Sequence, residues 1–458
     1  MVIYILSQFF MFIILLILWY VVVMNVIGLV QMFIALFIST RYKRKSRQQE
    51  YKLMGGSANM VPISVLVPAF NEEGTVVDTI KSLLNLNYSN YEIIVINDGS
   101  SDKTFQKIVD AFGLHKITYP VRERLATKKV RGIYYNPDIH KLHLVDKENG
   151  GKSDTLNAGI NLSNFPYIVS IDADSLLDPN ALLHIAMAFM QNKYNVAVGG
   201  SIRVANGCEI QDGKILEFRL PRKILPLFQT LEYLLSFLTV RIGRSGFNSL
   251  FVISGDFGAF QKEAVLSVGG YSQGNMGEDM DLVIKLHQYM RSKKYKYRMS
   301  FLPEAICWIN APEKYGELYV QRRRWQMGLI DVLNKYRKLF LNPSYGLLGL
   351  LSMPYYYIFE RFSPVMELLG IILIPLAWFF GFLPPAAVAL FFMALFVFGI
   401  VTTTGTLLVE ELNTANIKFR GLIILSALII PANFFYRPMT VIFRLIGIFS
   451  YYKKGRKK

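Results

Sequence analysis

Two long stretches without a charged side chain limit what this chain can fold into. Residues 1–40 carry no charge, and residues 368–409 carry none either. A helix of about 20 apolar residues spans the hydrocarbon core of a bilayer. The whole chain is 52% hydrophobic and only 18% charged, a balance too apolar for a soluble enzyme. The sequence therefore predicts a membrane protein whose more polar middle is flanked by membrane segments.

We interpret residues 1–40 as an N-terminal transmembrane anchor. A signal peptide is the alternative, but the stretch lacks a basic beginning, exceeds the usual apolar length and shows no small-residue cleavage site before Arg41. Its length suits either one long tilted helix or a tight hairpin. In the second stretch, residues 381–385 predict a turn between two spans.

The formal net charge of +17 is concentrated beside these apolar stretches rather than spread as on a nucleic-acid-binding protein. Basic clusters beside membrane segments mark cytoplasmic loops. We therefore predict no nucleic-acid partner, a cell-membrane location with several spans, and a cytoplasmic middle. Two cysteines give no disulfide framework. The clusters are Arg41, Lys43, Arg44, Lys45 and Arg47, and then Lys453, Lys454, Arg456, Lys457 and Lys458.

The middle of the chain has an α/β pattern in which short β-branched runs alternate with helical patterns. Such alternation predicts a mostly parallel sheet whose ligands lie beyond the carboxyl ends of its strands. Strands are predicted at 63–67, 92–96, 142–145, 167–171, 196–204 and 298–302. We divide the chain into the anchor, a basic linker 41–62, a cytosolic domain 63–310, an interface helix region 311–342, C-terminal transmembrane or interface helices 343–452, and a basic tail 453–458.

Two features of the apolar helices bear on the membrane. Residues 221–244 carry a wide apolar face flanked by basic residues, which fits either a buried domain helix or an amphipathic helix lying on the membrane surface. Arg437 and Arg444 would share one helix face, and intramembrane arginines usually face a cavity or partner, or extend to the headgroups. Which of the segments 343–359 and 421–449 cross the membrane stays open.

An Asp-x-Asp pair, Asp172 and Asp174, closes the apolar run 167–171. Two carboxylates at the end of a strand can share a hard divalent cation, which substrate phosphates usually complete. A solvated turn is the alternative. Further motifs occur in a fixed order around the pair: residues 65–73, 96–100 and 150–159 at predicted strand or helix boundaries, and 277–282 and 321–325 later in the chain.

Each motif has a chemical and a purely structural explanation. Glycines at 150–151 permit close backbone approach, and Lys152 offers a point charge for phosphate. Glu278 and Asp279 open a helix, where acidic residues are common for capping alone. The cluster at 321–325 is either a juxtamembrane basic patch or a site where Arg324 neutralises a diphosphate beside the ring of Trp325.

With these motifs in series, the sequence closely resembles the membrane-embedded family 2 glycosyltransferases, which include cellulose, hyaluronan and poly-N-acetylglucosamine synthases. Their series Asp-Gly, Gly-Gly-Lys, Asp-x-Asp, Glu-Asp and Gln-x-x-Arg-Trp appears here over roughly residues 60–330. The resemblance implies an α/β GT-A cytosolic domain with N-terminal and C-terminal transmembrane helices and amphipathic interface helices.

The resemblance also implies roles for single residues. Asp98 would contact uridine and Lys152 the diphosphate, with Glu72, Asp154, Asn157, Asp172 and Arg324 also on the donor side. Asp172 and Asp174 would hold Mg²⁺ or Mn²⁺. Asp279, beside Glu278, would be the general base, and the acceptor would meet Ser254, Gly255, Asp256, Gln321 and Trp325.

Three departures from the family pattern stand out. Asn97 replaces the first acid of the usual pair before Gly-Ser, which puts the uridine contact in question. Gly277 replaces a frequent threonine, with little chemical consequence expected. We expect no C-terminal cyclic-nucleotide receptor domain, so regulation of that kind would need another chain.

The leading hypothesis is a processive inverting β-glycosyltransferase that extends a polysaccharide from a UDP-sugar and extrudes it through its own channel. The lipid bilayer, the growing polymer and an accessory secretion subunit are the expected partners. The alternative is a non-processive transferase that loads one sugar onto a lipid acceptor such as polyprenyl phosphate. A transporter or scaffold with an inactive transferase domain is a third hypothesis, which the intact set of carboxylates disfavours. The donor sugar and the linkage are not predicted.

Overall fold

The computed structural model describes residues 2–46, 60–414 and 417–455. Most of the basic linker, together with Arg47, Arg456, Lys457 and Lys458, lies outside the described residues. The strands are β1 Ile63–Ala69, β2 Tyr91–Asn97, β3 His115–Ile117, β4 Val130–Tyr135, β5 Leu142–Lys147, β6 Tyr167–Ile171, β7 Leu176–Leu177, β8 Asn195–Val204, β9 Glu209–Gln211, β10 Lys214–Glu217, β11 Phe257–Gln261 and β12 Arg298–Ile309.

The α-helices alternate with the strands in the middle of the chain and follow one another at its ends. They are α1 Val2–Ser46, α2 Val76–Leu84, α3 Thr104–Phe112, α4 Lys152–Leu162, α5 Ala181–Gln191, α6 Ile224–Leu234, α7 Ile242–Gly246, α8 Lys262–Ser267, α9 Glu278–Ser292, α10 Tyr315–Lys335, α11 Met353–Tyr355, α12 Ser363–Phe379, α13 Pro385–Asn413, α14 Phe419–Ala427, α15 Ile429–Pro431 and α16 Arg437–Gly455. Turns of π-helix join several of the later ones, at Leu235–Arg241, Leu348–Ser352, Tyr356–Glu360 and Ala432–Tyr436.

One mixed sheet of ten strands forms the centre of the domain, in the order β3-β4-β5-β2-β1-β6-β11-β8-β12-β7. The predicted strands are all present. The prediction of a mostly parallel sheet was wrong in part, because only β5-β2-β1-β6 and the pair β8-β12 run parallel. Strand β11, which the prediction missed, lies antiparallel between β6 and β8.

The register of these strands brings several chain segments to one edge. Ala69 pairs with Asn97, and Asn97 pairs with Asp146, so β1, β2 and β5 end at the same level. Phe257 at the start of β11 pairs with Ile171 at the end of β6. Because β11 is antiparallel, the residues before it meet the residues after β6. The loop that precedes β11 therefore joins the carboxyl edge, where ligands of α/β sheets bind.

Three helices are long and apolar enough to cross a membrane among the described residues: Phe10–Arg41, Pro385–Asn413 and Phe419–Lys453. A fourth candidate is the pair Leu348–Glu360 and Ser363–Phe379, bent by 43°. The N-terminal stretch belongs to one helix of 45 residues, about 68 Å long, rather than to a hairpin. The predicted turn after α12 is also present, because α13 begins at Pro385.

The segment predicted as either a buried or a surface helix is buried over most of its length. Side chains of α6 are covered on several sides, while Ile224 at its start is 50% exposed. The following turns pack on α1 and α13, where Thr239 and Thr406 hydroxyls lie 2.6 Å apart. The segment thus lies between the sheet domain and the candidate membrane helices.

Both arginines of the last helix have hydrogen-bond partners, as is usual for arginines inside a membrane. Arg437 donates to Glu367 at 2.7 Å, and Arg444 donates to the side chain of Gln326 at 2.9 Å and the carbonyl of Glu360 at 2.6 Å. The second set of bonds ties α16 to α10. The helical part and the region that contains the 321–325 motif are therefore one packed unit.

A buried ion pair fastens the sheet to α13. Arg203 of β8 bonds to Glu410, and their side chains are 7% and 1% exposed. Removing one partner of such a pair leaves a buried charge uncompensated, at a cost of about 3–5 kcal/mol.

We expect Glu410→Leu to lower the thermal unfolding midpoint of the full chain in detergent much more than the double change Arg203→Met/Glu410→Leu does. The double variant removes both charges and leaves none unpaired. Glu411→Leu, at the neighbouring position on α13, is the control. Equal midpoints for the single and double variants would contradict a direct pair.

Candidate active site

The carboxylate of Asp98, just after β2, holds the glycine turn that precedes α4. Its two oxygens accept hydrogen bonds from the backbone N–H groups of Gly150 at 3.0 Å and Gly151 at 2.8 Å. The residue is only 3% exposed. Its immediate role is therefore to shape the turn from which Lys152 projects, and its contact with uridine stays a prediction.

Lys147, at the end of β5, is a buried cation that the sequence prediction missed. Its ammonium group lies 2.6 Å from Asp98 and 2.7 Å from Asp154, and its side chain is fully buried. Burial pushes the pKa of Asp98 upward, but the bonds from Lys147 and the two glycine N–H groups outweigh it, so this pKa lies below its ordinary value. Lys147 thus bonds to two carboxylates beneath the glycine turn and offsets part of their negative charge.

Two residues predicted to be on the donor side lie in this buried layer. Asp154 is 2% exposed and also accepts from the backbone of Lys128 and from Gln273. The amide of Asn157 bonds to both backbone groups of Tyr271, at 2.8 and 2.9 Å. These contacts fix the walls of the site, and a contact with a donor stays a prediction for both residues.

Lys152, the first residue of α4, faces the Asp-x-Asp pair. Its ammonium group lies 2.5 Å from the carboxylate of Asp172. Burial lowers the pKa of Lys152, but attraction to Asp172, Asp256 and Glu278 outweighs this effect and raises it. The lysine is therefore a permanent cation among carboxylates from three separate segments of the chain.

The loop before β11 brings a further carboxylate to Asp172 and Asp174. Burial and repulsion from Asp172 raise the pKa of Asp256 to about 7, although Lys152 opposes the shift. Burial and the same neighbour also raise the pKa of Asp174, whose side chain reaches the solvent. Ser254 donates to Asp256 at 3.0 Å. The three aspartates thus form a site with an excess of negative charge.

The predicted catalytic acids, at the amino end of α9, belong to the same site. A Cβ on Gly255 would lie 3.3 Å from the Lys152 nitrogen and 3.7 Å from the Cβ of Asp279, so the 254–256 loop lies between them. Asp279 accepts from the N–H of Met280 at 2.8 Å. Burial raises the pKa of Asp279, and burial and Asp279 raise the pKa of Glu278.

Two further charged groups act on this site. Glu72 follows β1, and its pKa is raised by burial and by repulsion from Asp174 and Asp172, against the hydrogen bond from Thr75. Arg241, which the sequence analysis placed only on the flank of an apolar helix, is attracted to Asp279 and Asp256. Burial lowers its pKa to about 10. No local pattern marks Arg241, because the fold alone brings it near the acids.

Gly277 stands where the family frequently has threonine, and it has a packing role that was not predicted from the sequence. A Cβ on Gly277 would lie 3.2 Å from the carbonyl oxygen of Gly328, and a Cβ on Gly328 would lie 2.7 Å from that of Met276. The start of α9 and the middle of α10 are therefore in backbone contact. Any shift of α10 would move Glu278 and Asp279.

Helix α10 presents the 321–325 motif on two faces. Gln321, Arg324 and Trp325 share one face, on which Arg324 is exposed and Trp325 is 42% exposed. Gln321 and Arg324 line an open cavity of about 520 Å³. Arg322, three residues before Trp325, is buried, bonds to Glu232 at 2.8 Å, and its guanidinium lies 4.3 Å from the centre of the Trp325 ring. The buried arginine holds the indole in place.

The carboxylates suit a divalent cation whose remaining ligands come from the substrate or from solvent. No group of three His, Cys, Asp or Glu side chains has a metal-holding arrangement within the described ranges. However, Asp172 and Asp174 are one residue apart, solvent reaches Asp174, and burial and repulsion from Asp172 raise the pKa of both Asp174 and Asp256. A cation would relieve that repulsion, and two carboxylates with substrate phosphates are a common arrangement for Mg²⁺.

Comparisons with known proteins identify the family. Residues 64–269 match the family model of glycosyl transferase family 2, and residues 167–401, half of the chain, match that of glycosyl transferase family group 2. The chain is 34% identical over 272 residues to a poly-beta-1,6-N-acetyl-D-glucosamine synthase of Staphylococcus epidermidis, and 32% over 271 residues to one of Staphylococcus aureus. Each match covers 59% of this chain and 55% of the relative, so it spans about half the length of those proteins.

Among solved structures, a mannosyltransferase from Pyrobaculum calidifontis, in complex with GDP-Man and Mn²⁺, is similar over 86% of this chain and 98% of its own. The TM-score is 0.51 and the identity 17%, so this likeness concerns the fold alone. The predicted GT-A domain with apolar helices at both ends is confirmed.

The role of Lys147 can be tested by Lys147→Met. Without the cation, two buried carboxylates repel each other, so the glycine turn should loosen and unfolding should become easier by about 3–5 kcal/mol. We expect a lower thermal midpoint and faster proteolysis at residues 148–152. Lys129→Met, at an exposed position nearby, should change neither. Unchanged proteolysis in Lys147→Met would show that the turn does not depend on this charge.

Proposed function

The chain belongs to the family 2 glycosyltransferases, and we propose that it is a processive, inverting enzyme that polymerises sugar from a UDP-sugar and extrudes the polymer across a membrane. The observation that carries the proposal is the cluster of carboxylates, Asp172, Asp174 and Asp279, around Lys152. This arrangement can hold a nucleotide diphosphate on one side and activate an alcohol on the other.

On the donor side, we propose that Lys152 and Arg324 bind the diphosphate, and that Asp172 and Asp174 are the ligands of Mg²⁺ or Mn²⁺. When bound, the ion supplies positive charge for the departing diphosphate. The Lys152–Asp172 contact of 2.5 Å would open so that the ammonium group turns to phosphate. Glu72, Asp98, Asp154 and Asn157 would form the floor and wall of the donor pocket.

On the acceptor side, we propose that Asp279 removes the proton of the acceptor hydroxyl. The oxygen attacks the anomeric carbon, the bond from that carbon to the diphosphate oxygen breaks, and UDP leaves. Burial raises the pKa of Asp279, which makes it a stronger base than an ordinary aspartate. A single displacement inverts the anomeric carbon, so an α-linked donor gives a β-linkage. Glu278, Ser254, Gly255 and Asp256 would line the acceptor side.

Unpaired polar groups near the candidate spans support passage of a polar polymer. Buried polar atoms normally have a hydrogen-bond partner. The hydroxyl of Tyr233, one terminal nitrogen of Arg241, the Nε of Arg322 and the side-chain oxygen of Gln321 have none among the described residues. Sugar hydroxyls could satisfy such groups. We propose that these unpaired groups line the start of a path from the carboxylate cluster into the candidate membrane helices, with Trp325 and Gln321 at its entrance.

The basic clusters and the candidate spans support a multi-pass protein of the cell membrane whose catalytic domain, residues 63–310, lies in the cytoplasm. The curated relatives support N-acetylglucosamine as the sugar of the polymer. UDP release measured across a panel of UDP-sugars in membranes, followed by linkage analysis, tests both points. A product with a single sugar on lipid would instead favour the non-processive alternative.

For Asp279→Asn we expect the rate of sugar transfer to fall about 10²- to 10⁴-fold, because the amide cannot accept the proton. Binding of UDP, measured by calorimetry, should stay near the parent value. In the parent, transfer should decline as the pH falls through the raised pKa of Asp279, since only the carboxylate is a base.

Asp174→Ala is the companion variant, and it should lose the metal-dependent part of UDP binding. Asp212→Asn, at an exposed surface position, is the control. Full transfer by Asp279→Asn would exclude it as the base. Equal metal-dependent affinity in Asp174→Ala and the parent would exclude the metal assignment.

Trp325→Ala should shorten the polymer more than it slows the first transfer. An indole face stacked on a sugar contributes roughly 1–2 kcal/mol, which would be lost from every elongation step. Trp325→Phe keeps a ring and should give chains of intermediate length. Trp378→Ala, on α12, is the control. Polymer of parental length from Trp325→Ala would remove this residue from the acceptor site.

A further inference from the structure

A second cavity, of about 520 Å³, lies away from the candidate active site and is rich in basic and tyrosine side chains. It is formed by the end of α9, the loop that follows it and the first residue of β12. The residues that matter are Arg291, Lys294, Lys296 and Arg298, with Tyr295 and Tyr297 between them. Among the residues that the structure describes, no acidic side chain lines the cavity. The lining therefore attracts anions.

These basic groups are not neutralised elsewhere. None of the four forms an ion pair within the part of the chain that the structure describes. In addition, the Nε of Arg291 is buried and has no hydrogen-bond partner there. Four like charges around one cavity repel one another, so an anion that enters it gains from all of them.

The cavity is held in shape rather than formed by free surface side chains. The guanidinium of Arg291 packs on Gly346, where a Cβ would lie 2.7 Å from one of its nitrogens. The hydroxyl of Tyr297 lies 2.7 Å from the ring of His287, which is fully buried. Lys294 has a positive φ of 56°, which turns the loop sharply at this point. A fixed arginine suits the tetrahedral oxygens of phosphate.

The cavity also lies beside the expected membrane boundary. Gly246, two residues before the lining residue Asn248, contacts Ile38 near the end of the candidate span Phe10–Arg41. On the other side, Ser344 lines the cavity just before Leu348, where the bent candidate span begins. The side chains that follow Ser344 and reach the solvent are apolar: Leu347, Leu350 and Leu351 are 42%, 45% and 52% exposed.

We propose that this cavity, which we call the basic cavity, binds a phosphate group, and that an anionic lipid headgroup supplies it. Arg291 and Arg298 would bind the phosphate oxygens, Lys294 and Lys296 would add charge, and the exposed ring of Tyr295 would lie at the level of the headgroups, where aromatic side chains are favoured. The apolar side chains after Ser344 would contact the acyl chains. The site is separate from the donor site; it rests on the proposed membrane location and not on the proposed reaction.

The test uses the full chain in nanodiscs and hydrogen exchange of the peptide 291–298. One arm contains phosphatidylcholine alone, a second contains about 20% phosphatidylglycerol, and a third adds about 10 mM inorganic phosphate to phosphatidylcholine discs. We expect slower exchange with phosphatidylglycerol only. Slower exchange in the third arm would identify a soluble phosphate as the ligand and overturn the assignment to lipid.

The variant Lys294→Gln/Lys296→Gln removes two charges from exposed side chains and leaves the buried contacts of Arg291 in place. Each basic residue near an anionic surface contributes about a fivefold factor, so the protection should fall about 25-fold. The control is Lys116→Gln/Lys214→Gln, which removes two exposed lysines from β3 and β10, away from the cavity. This control should keep the parental protection. Equal exchange in all three arms, or full protection in the first variant, would overturn the proposal.

Discussion

The balance of positive and negative charge around Lys152 determines the electrostatics of the candidate active site. A single ammonium group, 2.5 Å from Asp172, is surrounded by carboxylates from the ends of β6, the loop before β11 and the start of α9. One cation cannot neutralise them all, and burial together with repulsion from Asp172 raises the pKa of Asp256 to about 7. The cluster therefore favours additional positive charge, and burial makes the carboxyl group of Asp279 more basic than usual.

A second lysine, which is buried, holds in place the glycine turn that carries Lys152. Lys147 lies beneath the glycine turn and bonds to Asp98 and Asp154, so the turn that carries Lys152 rests on a buried layer of charged groups that are bonded to one another. Farther along the chain, the contact between Gly277 and Gly328 joins the start of α9 to α10, and α10 is bonded to α16 through Gln326 and Arg444. The candidate active site and the helical part of the protein are thus mechanically connected.

Pattern-based prediction succeeded for the strands that are continuous apolar runs. The strands that end just before Asp98 and Asp172 were predicted because a buried parallel strand is such a run, and polar residues must follow where it ends. It failed for β11, a short antiparallel strand with no alternation of its own, and for Lys147, which looks like an ordinary charged residue at a strand end. The signal for Lys147 is weak: a lysine that ends an otherwise buried strand, close to Asp98 and Asp154 only after folding.

The sequence by itself determined the long apolar segments, the α/β middle and the order of the family motifs, because hydropathy, periodicity and motif order are local properties. Only the tertiary structure decided that residues 2–40 belong to one helix, that the 221–244 segment is covered by α1 and α13, and that Arg241 is close enough to Asp279 to affect its pKa. It also brought the basic residues of the 291–298 loop together with Ser344. These outcomes depend on which surfaces meet across the fold, and electrostatic forces fall off with distance in space rather than along the chain.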